Sequence, residues 1–269
     1  RQGFTVHLVE KEAELGGMLR HLYKLQPSER DASEILQEAA TAVKAKSNIH
    51  LHMSTLVEEV KGFIGNFDVT LQKKGANEPE QIKVGTIIVA TGAEEFKPVG
   101  MYGYKENENV ITQLELEQLL KKGELKEPKN VVMIQCVGAR EKTGRTYCSR
   151  ICCRVALNNA MLLKKLYPNV EISILFRDIQ TYGEYEDYYR EARENLFGFI
   201  HYDSDKPPKV TFNDGKLAVT VYDTYLGSEI EIDTDLIVLS TPLIQHEDGK
   251  KLSSILKVPL GLDGFFFEA

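Results

Sequence analysis

The 269-residue sequence lacks the features that would place it in several common classes of protein. It contains no run near the ~20 apolar residues of a membrane-spanning helix, so direct membrane insertion is not expected. It has no excess of basic residues, and its formal net charge of −7 argues against nucleic acid as a partner, because phosphate binding needs a concentrated positive face. Low-complexity tracts and short repeats are absent. An ordinary globular protein in a cytosolic, reducing setting is the expectation.

Cysteine is scarce, and its four copies are grouped closely. They follow the spacing Cys-x11-Cys-x3-Cys-Cys at Cys136, Cys148, Cys152 and Cys153. Four thiolates are the ligand set of iron–sulfur clusters. Grouped cysteines in a reducing compartment favour metal or redox chemistry over disulfides. The sequence therefore predicts a [4Fe–4S] cluster on these four residues.

The predicted surroundings of the cysteines support this interpretation. Cys136 follows a predicted buried strand, Asn130–Gln135, at the end where open α/β sheets bind their ligands. A helix predicted from Cys148 to Leu166 would place Cys148 and Cys152 on one face of its first turn, where the positive helix end favours thiolates. Nearby arginines could offset the negative charge of a cluster: Arg140, Arg145, Arg150 and Arg154.

Three other interpretations stay open. A structural zinc site also uses four cysteines, usually as two Cys-x2–4-Cys pairs, which the adjacent Cys152 and Cys153 do not form. A redox dithiol at Cys152 and Cys153 would make the chain a disulfide reductase, although no Cys-x-x-Cys motif is present. Buried cysteines can also act as small apolar side chains. For the function of the whole chain, a metal-stabilised scaffold without catalysis is a further alternative, and it would need no redox chemistry.

A second set of residues predicts a flavin site. Glu10 ends a predicted strand and is followed by Lys11 and by the pair Gly16–Gly17. In dinucleotide-binding folds, an acidic residue at such a strand end accepts hydrogen bonds from ribose hydroxyls. The run from Ile87 to Gly92 predicts a buried strand that enters a turn of small residues, Ala90, Thr91 and Gly92. Small residues let the backbone approach a cofactor closely.

The order of elements predicts an α/β fold of two similar sub-domains, each an α/β unit with a small antiparallel β-meander. The first is expected over residues 1–97, completed by 243–269, and the second over 98–242. The chain opens at Arg1 without methionine and closes at Ala269 after three aromatic residues, so a fragment of a longer protein is expected. Helices are predicted over Asp31–Lys46, Gln113–Lys121, Cys148–Leu166 and Tyr185–Leu196.

The stretch from Val132 to Ala160 resembles the A subunit of heterodisulfide reductase and its relatives. Those relatives include the flavin subunits of the quinone-interacting membrane-bound oxidoreductase complex. The resemblance rests on the motifs Ile-Gln-Cys-Val-Gly-Ala-Arg and Tyr-Cys-Ser-Arg-Ile-Cys-Cys. Further matches cover nearly the whole chain, among them Leu8-Val9-Glu10-Lys11, Ala90-Thr91-Gly92, Thr181-Tyr182-Gly183 and Asp263-Gly264-Phe265-Phe266.

The resemblance implies a thioredoxin-reductase-like pair of Rossmann-type sub-domains that bind FAD and NAD(P) in such folds. It implies FAD at Glu10 and one [4Fe–4S] cluster on the four cysteines. It also implies an oxidoreductase subunit that relays or bifurcates electrons, with the other subunits of such a complex as partners and a homodimer left open. The family's glycine-rich phosphate loop and its C-terminal flavin segment have no counterpart in these residues. Because the cysteine loop stands where a second Gly-x-Gly-x-x-Gly would be, NAD(P)H binding there is not expected.

Overall fold

The computed structural model describes residues 3–25 and 28–268. Arg1, Gln2 and Ala269, where the sequence suggests cut ends, lie outside the described residues, as do Gln26 and Pro27. The chain divides into two compact units, residues 1–94 with 244–269 and residues 95–243. Assigning these units as a flavin-binding and a nucleotide-binding-like sub-domain remains a prediction.

The first unit begins with α/β elements and continues into a meander. Its elements are β1 Val6–Glu10, a 3₁₀ turn Gly17–Arg20, β2 Lys24–Leu25, β3 Arg30–Asp31, α1 Ala32–Lys44, β4 Ile49–Met53, β5 Thr55–Phe63, β6 Asn66–Lys73 and β7 Glu80–Val84. Strands β1 and β4 form a two-stranded parallel sheet, and β5, β6 and β7 form an antiparallel sheet. The meander predicted in this half is confirmed.

The chain then passes through the short β8, Glu94–Glu95, into the second unit. Its elements are β9 Val110–Thr112, α2 Gln113–Lys122, β10 Asn130–Ile134, α3 Cys152–Leu166, β11 Glu171–Phe176, α4 Tyr185–Glu194, β12 Gly198–His201, β13 Lys209–Asn213, β14 Lys216–Asp223, β15 Ser228–Thr234 and β16 Leu236–Leu239. The chain returns to the first unit through β17, Leu243–Ile244, and its last helix is α5, Gly249–Leu256.

A five-stranded parallel sheet organises the second unit, in the order β12-β11-β10-β16-β9. An antiparallel meander of β13, β14 and β15 packs on one face, and its buried Val219 meets Ile134 and Ile237 of the sheet. Helix α3 buries Ala156, Leu157, Ala160 and Leu163. Because parallel strands all end at one edge, this sheet gathers the residues that follow β10, β11 and β16.

Local sequence explains where α2 begins and ends. Thr112 accepts a hydrogen bond from the Glu115 amide, and the Glu115 carboxylate accepts one from the Thr112 amide, which together form a capping box. Gly123 ends the helix with a φ of 69°, a conformation that glycine adopts without steric cost. The predicted α/β class is confirmed, and no helix of the described residues is long and apolar enough to cross a membrane.

Candidate metal centre and flavin site

Cys136 is buried two residues beyond the end of β10, the middle strand of the parallel sheet. Its φ of 62° is followed by φ values of 71° at Gly138 and 57° at Arg140, so the backbone turns sharply back from the sheet edge. A Cβ at Gly138 would lie 2.5 Å from the Phe96 ring, so only glycine fits this close approach. The turn places Cys136 at the edge where open α/β sheets bind ligands.

Two further cysteines begin α3 and face the same edge. The Cys152 thiol donates to the Thr241 carbonyl, with 3.4 Å between sulfur and oxygen. The Cys153 thiol donates to the Asp178 carbonyl over 3.6 Å. Thr241 and Asp178 lie two residues beyond β16 and β11, as Cys136 does beyond β10. Three adjacent strand ends therefore surround the start of α3.

Cys148 differs from the other three because it is exposed. The prediction that it begins a helix with Cys152 is wrong, since α3 starts at Cys152 itself. Arg150 has a φ of 60°, which no right-handed helix accommodates. The Ser149 hydroxyl accepts from the Leu243 amide, which fixes this segment as a loop. Cys148 therefore lies in the loop before α3 and not in the helix.

Burial and mutual repulsion change the pKa values of three of the cysteine thiols. Burial first, and then repulsion from Cys153, Cys136 and Cys148, raises the pKa of Cys152 to about 12. Burial also raises the pKa of Cys153 to about 11, with smaller effects from Cys136 and Cys148. For Cys136, burial raises the pKa while Arg177 and Arg140 oppose the shift. The raised pKa values of Cys136, Cys152 and Cys153 mean that a nearby positive charge would favour their thiolate forms.

The four arginines predicted to offset a cluster charge occupy different positions. Arg140 lies nearest, with a guanidinium nitrogen 3.9 Å from the Cys136 sulfur and another 2.6 Å from an Asp178 oxygen. Arg145 donates to the Gly138 carbonyl over 2.7 Å and lies over the Phe96 ring. Arg154 lies over the Tyr185 ring at 4.5 Å. Arg150 lines a pocket of about 410 Å³ beside Cys148.

Sequence reasoning missed Arg177, which donates three hydrogen bonds to the cysteine loop. Its guanidinium donates to the carbonyls of Cys136, Ala139 and Arg140. Arg177 directly follows β11, which pairs in parallel with β10. The carboxyl ends of neighbouring parallel strands meet, so this contact follows from the pairing of β10 with β11 and not from local sequence.

The donor set of this site suits a thiolate-bound metal cluster. Four thiols lie in one electrostatically coupled group, and two arginines approach Cys136. Within residues 3–25 and 28–268, no three or more histidine, cysteine or acidic side chains are arranged as a ready metal site. The thiols of Cys152 and Cys153 bond to backbone carbonyls instead. The residues therefore fit a cluster by number and chemistry.

Comparison with known proteins places this chain in a family, although no family model matches the sequence. The chain is 34% identical, over 99% of its length, to the iron–sulfur A subunit of CoB–CoM heterodisulfide reductase from Methanocaldococcus jannaschii. It is 33% identical, over the same share, to the A subunit of the H2/formate:CoB–CoM heterodisulfide, ferredoxin reductase of Methanococcus maripaludis. The chain belongs to the heterodisulfide reductase A subunit family. It spans 54% of the length of each of these relatives.

Solved structures show that the fold of this family member is that of thioredoxin reductases. The chain matches the thioredoxin reductase of T. acidophilum with a TM-score of 0.59 and 18% identity over 98% of the chain. It matches the Lactococcus lactis enzyme with a TM-score of 0.62 and 14% identity. It covers 76% and 77% of those two chains. The predicted pair of Rossmann-type sub-domains is confirmed as a fold.

The residues predicted to bind flavin in the first half of the first unit lie at the end of β1 and on the segment that follows it. Glu10 is the last residue of that strand, and its carboxylate accepts from the Glu12 amide over 2.9 Å. Lys11 forms an ion pair of 3.0 Å with Asp248. Gly16 has a φ of 122°, and a Cβ there would lie 2.7 Å from Leu36. The carboxylate suits ribose, but Gly16 is required by packing against α1.

The prediction of a buried strand over Ile87–Gly92 is wrong. In the structure β7 ends at Val84, the next strand begins at Glu94, and Ile88 is 86% exposed. An extended β-branched segment becomes a strand only where a neighbouring strand offers hydrogen bonds, and no described strand pairs with this one. Ala90, Thr91 and Gly92 are exposed in this segment. Burial therefore gives no support to the cofactor contact expected of these three residues.

Proposed function

We propose that the chain is part of an FAD- and [4Fe–4S]-dependent oxidoreductase subunit that relays electrons within a heterodisulfide-reductase-like complex. The observation that supports this proposal is the position of Cys136, Cys152 and Cys153 at three adjacent strand ends of the second unit, with Cys148 on the loop that precedes α3. The relatives that share 99% of the chain are named as A subunits of heterodisulfide reductases, and one of those names includes iron–sulfur.

In this proposal Cys136, Cys148, Cys152 and Cys153 hold the cluster. Glu10, Lys11, Gly16 and Gly17, with Ala90, Thr91 and Gly92, contact the flavin. When bound, FAD exchanges electrons in pairs and an iron–sulfur cluster carries them singly, while the protein supplies position and electrostatic tuning. Splitting of an electron pair between two acceptors at the flavin is an extension of the same proposal.

The chain's own residues have distinct tasks around the thiols. The sheet edge and α3 exclude water from Cys136 and Cys153, which are buried. Arg140 and Arg177 lower the cost of negative charge at Cys136, since their charges oppose the rise of its pKa. Cys148 is the exposed sulfur, so electrons would pass to a partner subunit through this side of the site.

The test is anaerobic purification of the chain, followed by its ultraviolet–visible spectrum and its iron, zinc and flavin content. We expect a broad cluster absorption and about four irons per chain, the content of a cube ligated by four cysteines. Cys152→Ala is expected to lose both signals because it removes a ligand. Arg190→Gln is the matched control, since Arg190 is exposed on α4 and pairs with Asp187.

Two outcomes would contradict the proposal. Zinc in place of iron would favour a structural site. Iron-free chain that resists anaerobic reconstitution, with a flavin or dithiol signal only, would favour a disulfide reductase that uses Cys152 and Cys153. The structure gives that second function no geometric support, because the two thiols donate to different carbonyls, Thr241 and Asp178.

A further inference from the structure

The guanidinium of Arg177 gathers three backbone carbonyls of the cysteine loop. One terminal nitrogen donates to the Arg140 carbonyl over 3.1 Å. The other donates to the carbonyls of Cys136 and Ala139, each over 3.0 Å. These oxygens come from three positions of one turn, residues 136–140, so a single side chain fixes both ends of that turn.

The turn requires such support. Cys136 and Arg140 are non-glycine residues with φ values of 62° and 57°, a left-handed conformation in which the Cβ crowds the following carbonyl oxygen. A turn that leaves the sheet also removes its carbonyls from strand pairing, and buried carbonyls need partners. Arg177 supplies donors to three of them. Its side chain is only 13% exposed, so these hydrogen bonds compete little with water.

A second strand end anchors the residue before Cys136. Tyr202 follows β12, is 2% exposed, and donates its hydroxyl to the Gln135 carbonyl over 2.7 Å. The Arg177 guanidinium lies 6.0 Å from the Tyr202 ring centre. Consecutive carbonyls at Gln135 and Cys136 are therefore held by side chains from the ends of two parallel strands.

The polarity of this loop is opposite to that of a nucleotide-binding loop. In dinucleotide folds, the loop after the first strand presents backbone N–H groups to a pyrophosphate. Here three carbonyl oxygens face a cation, Arg177. A loop held in this way presents Cys136, and its three carbonyl oxygens cannot donate hydrogen bonds to a phosphate.

We propose that Arg177 is a positioning residue that fixes the cysteine loop, so that Cys136 joins the other three thiols as a metal ligand. This inference rests on the proposed function of the cysteines. It adds a residue distant in sequence whose role is to hold a ligand without itself binding metal. It also gives a reason why this unit has a dinucleotide-binding fold although the loop after β10 carries a cysteine in place of a phosphate site.

The test measures metal binding by the iron-free chain, independently of electron transfer. Co²⁺ is titrated anaerobically against a competing chelator, and its thiolate charge-transfer absorption is recorded for wild type, Arg177→Gln, Arg177→Lys and Arg190→Gln. Arg177→Gln is expected to bind about 10–100-fold more weakly, the usual cost of losing an outer-shell partner. Arg177→Lys should recover only part of the loss, because lysine has no planar fork to span three carbonyls. Arg190→Gln should match wild type.

The outcomes separate this inference from the proposed function. If wild type takes up neither Co²⁺ nor iron, the proposed function fails. If wild type binds and Arg177→Gln binds equally well, the positioning role fails. Should Arg177→Gln lack native far-ultraviolet circular dichroism, Tyr202→Phe decides, since it keeps the buried ring and removes the hydroxyl that donates to the Gln135 carbonyl. A several-fold weaker Co²⁺ affinity in folded Tyr202→Phe supports loop anchoring from the strand ends, and an unchanged affinity overturns it.

Discussion

The two units of this chain share an α/β-plus-meander plan but bury very different amounts of apolar surface. In the second unit, whole strands such as β10 and β16 are buried, and their side chains meet the meander in one core. In the first unit, the buried apolar side chains among the described residues are Ala32, Val69 and Leu71. Its parallel sheet has two strands against five in the second unit.

Exposed apolar side chains make the same contrast. In the first unit Phe4, Ile64 and Ile88 are 71%, 87% and 86% exposed. Hydrophobic burial is the dominant favourable contribution to folding, so the second unit should carry most of the stability of the chain. A ligand or partner that covers the first unit would stabilise it in proportion to its binding. The cysteine site lies in the second unit, which has the larger buried core, so its geometry should depend less on a bound ligand or partner.

Among substitutions that test the difference in burial between the two units, the largest loss of stability is expected in the core of the second unit. Ile237 is fully buried on β16 within the core cluster. Ile237→Ala should lower the free energy of unfolding by about 2–5 kcal/mol through lost burial and a cavity. Ile88→Ala, at an exposed position of the first unit, is the matched control and should change it by no more than about 0.5 kcal/mol.

Both free energies come from denaturant unfolding monitored by circular dichroism. If the two transitions overlap, hydrogen exchange of amides in each unit assigns the change to its unit. Equal losses for the two alanine variants would break the comparison, because they would mean that Ile88 is buried in solution.

The contrast between units also explains which parts of the fold the sequence could predict. Helix α2 follows from its capping box and its terminal glycine, and its predicted bounds differ from the structure by one residue. Helix α1, predicted over Asp31–Lys46, is observed over Ala32–Lys44. Such elements are encoded locally. The segment from Ile87 has equally strong β-branched character, yet it forms no strand, because a strand also needs a partner.

The same distinction holds at the cysteine site. Local spacing selects all four cysteines, and the structure places Cys136, Cys152 and Cys153 at adjacent strand ends. Periodicity predicts a helical position for Cys148, but the positive φ of Arg150 prevents it. Arg177 lies far along the chain from Cys136, and only the parallel pairing of β10 with β11 makes them neighbours. Alternation and spacing report local structure, whereas these contacts depend on sheet register.

A smaller effect compares the same kind of helix cap in the two units. Thr112 caps α2 and also donates its hydroxyl to Glu95 over 2.8 Å. Asp31 caps α1 by accepting from the Ser33 amide over 2.8 Å. Thr112→Ala should cost about 1–2 kcal/mol and Asp31→Ala about 0.5–1 kcal/mol, within the usual range for lost caps. Both are measured by denaturant unfolding.

Ser254→Ala is the control for the cap comparison, since its hydroxyl is exposed on α5 and bonds the Lys250 carbonyl of the same helix. It should leave stability unchanged, because alanine favours a helix. A larger loss for Asp31→Ala than for Thr112→Ala would reverse the comparison and place more stability in the first unit than its burial suggests.

The smallest effect is a pH dependence confined to the first unit. Three histidines share one face of its parallel sheet: His7 Nδ1 lies 2.9 Å from His52 Nε2, the His7 and His50 rings stack at 5.0 Å, and His52 Nδ1 lies 3.2 Å from a Glu80 oxygen. Burial, followed by repulsion from His52 and His50, lowers the pKa of His7 below its ordinary 6.5, while Glu80 opposes the shift. As pH falls, His7 is therefore protonated in the unfolded chain before it is protonated in the folded chain. The free energy of unfolding rises with pH between the folded-state pKa and 6.5.

The contribution of His7 should be fully present above pH 6.5 and should be lost progressively as pH falls from 6.5 towards the lower pKa of the folded state. His7→Gln is expected to flatten this part of the stability profile, measured by unfolding at a series of pH values with hydrogen exchange in the first unit. His21→Gln, at an exposed position on the turn after β1, should keep the wild-type slope. If His7→Gln leaves the slope of unfolding free energy against pH unchanged, these three histidines do not link folding of the first unit to pH. The stability of this unit, which buries few apolar side chains, would then depend on other contacts.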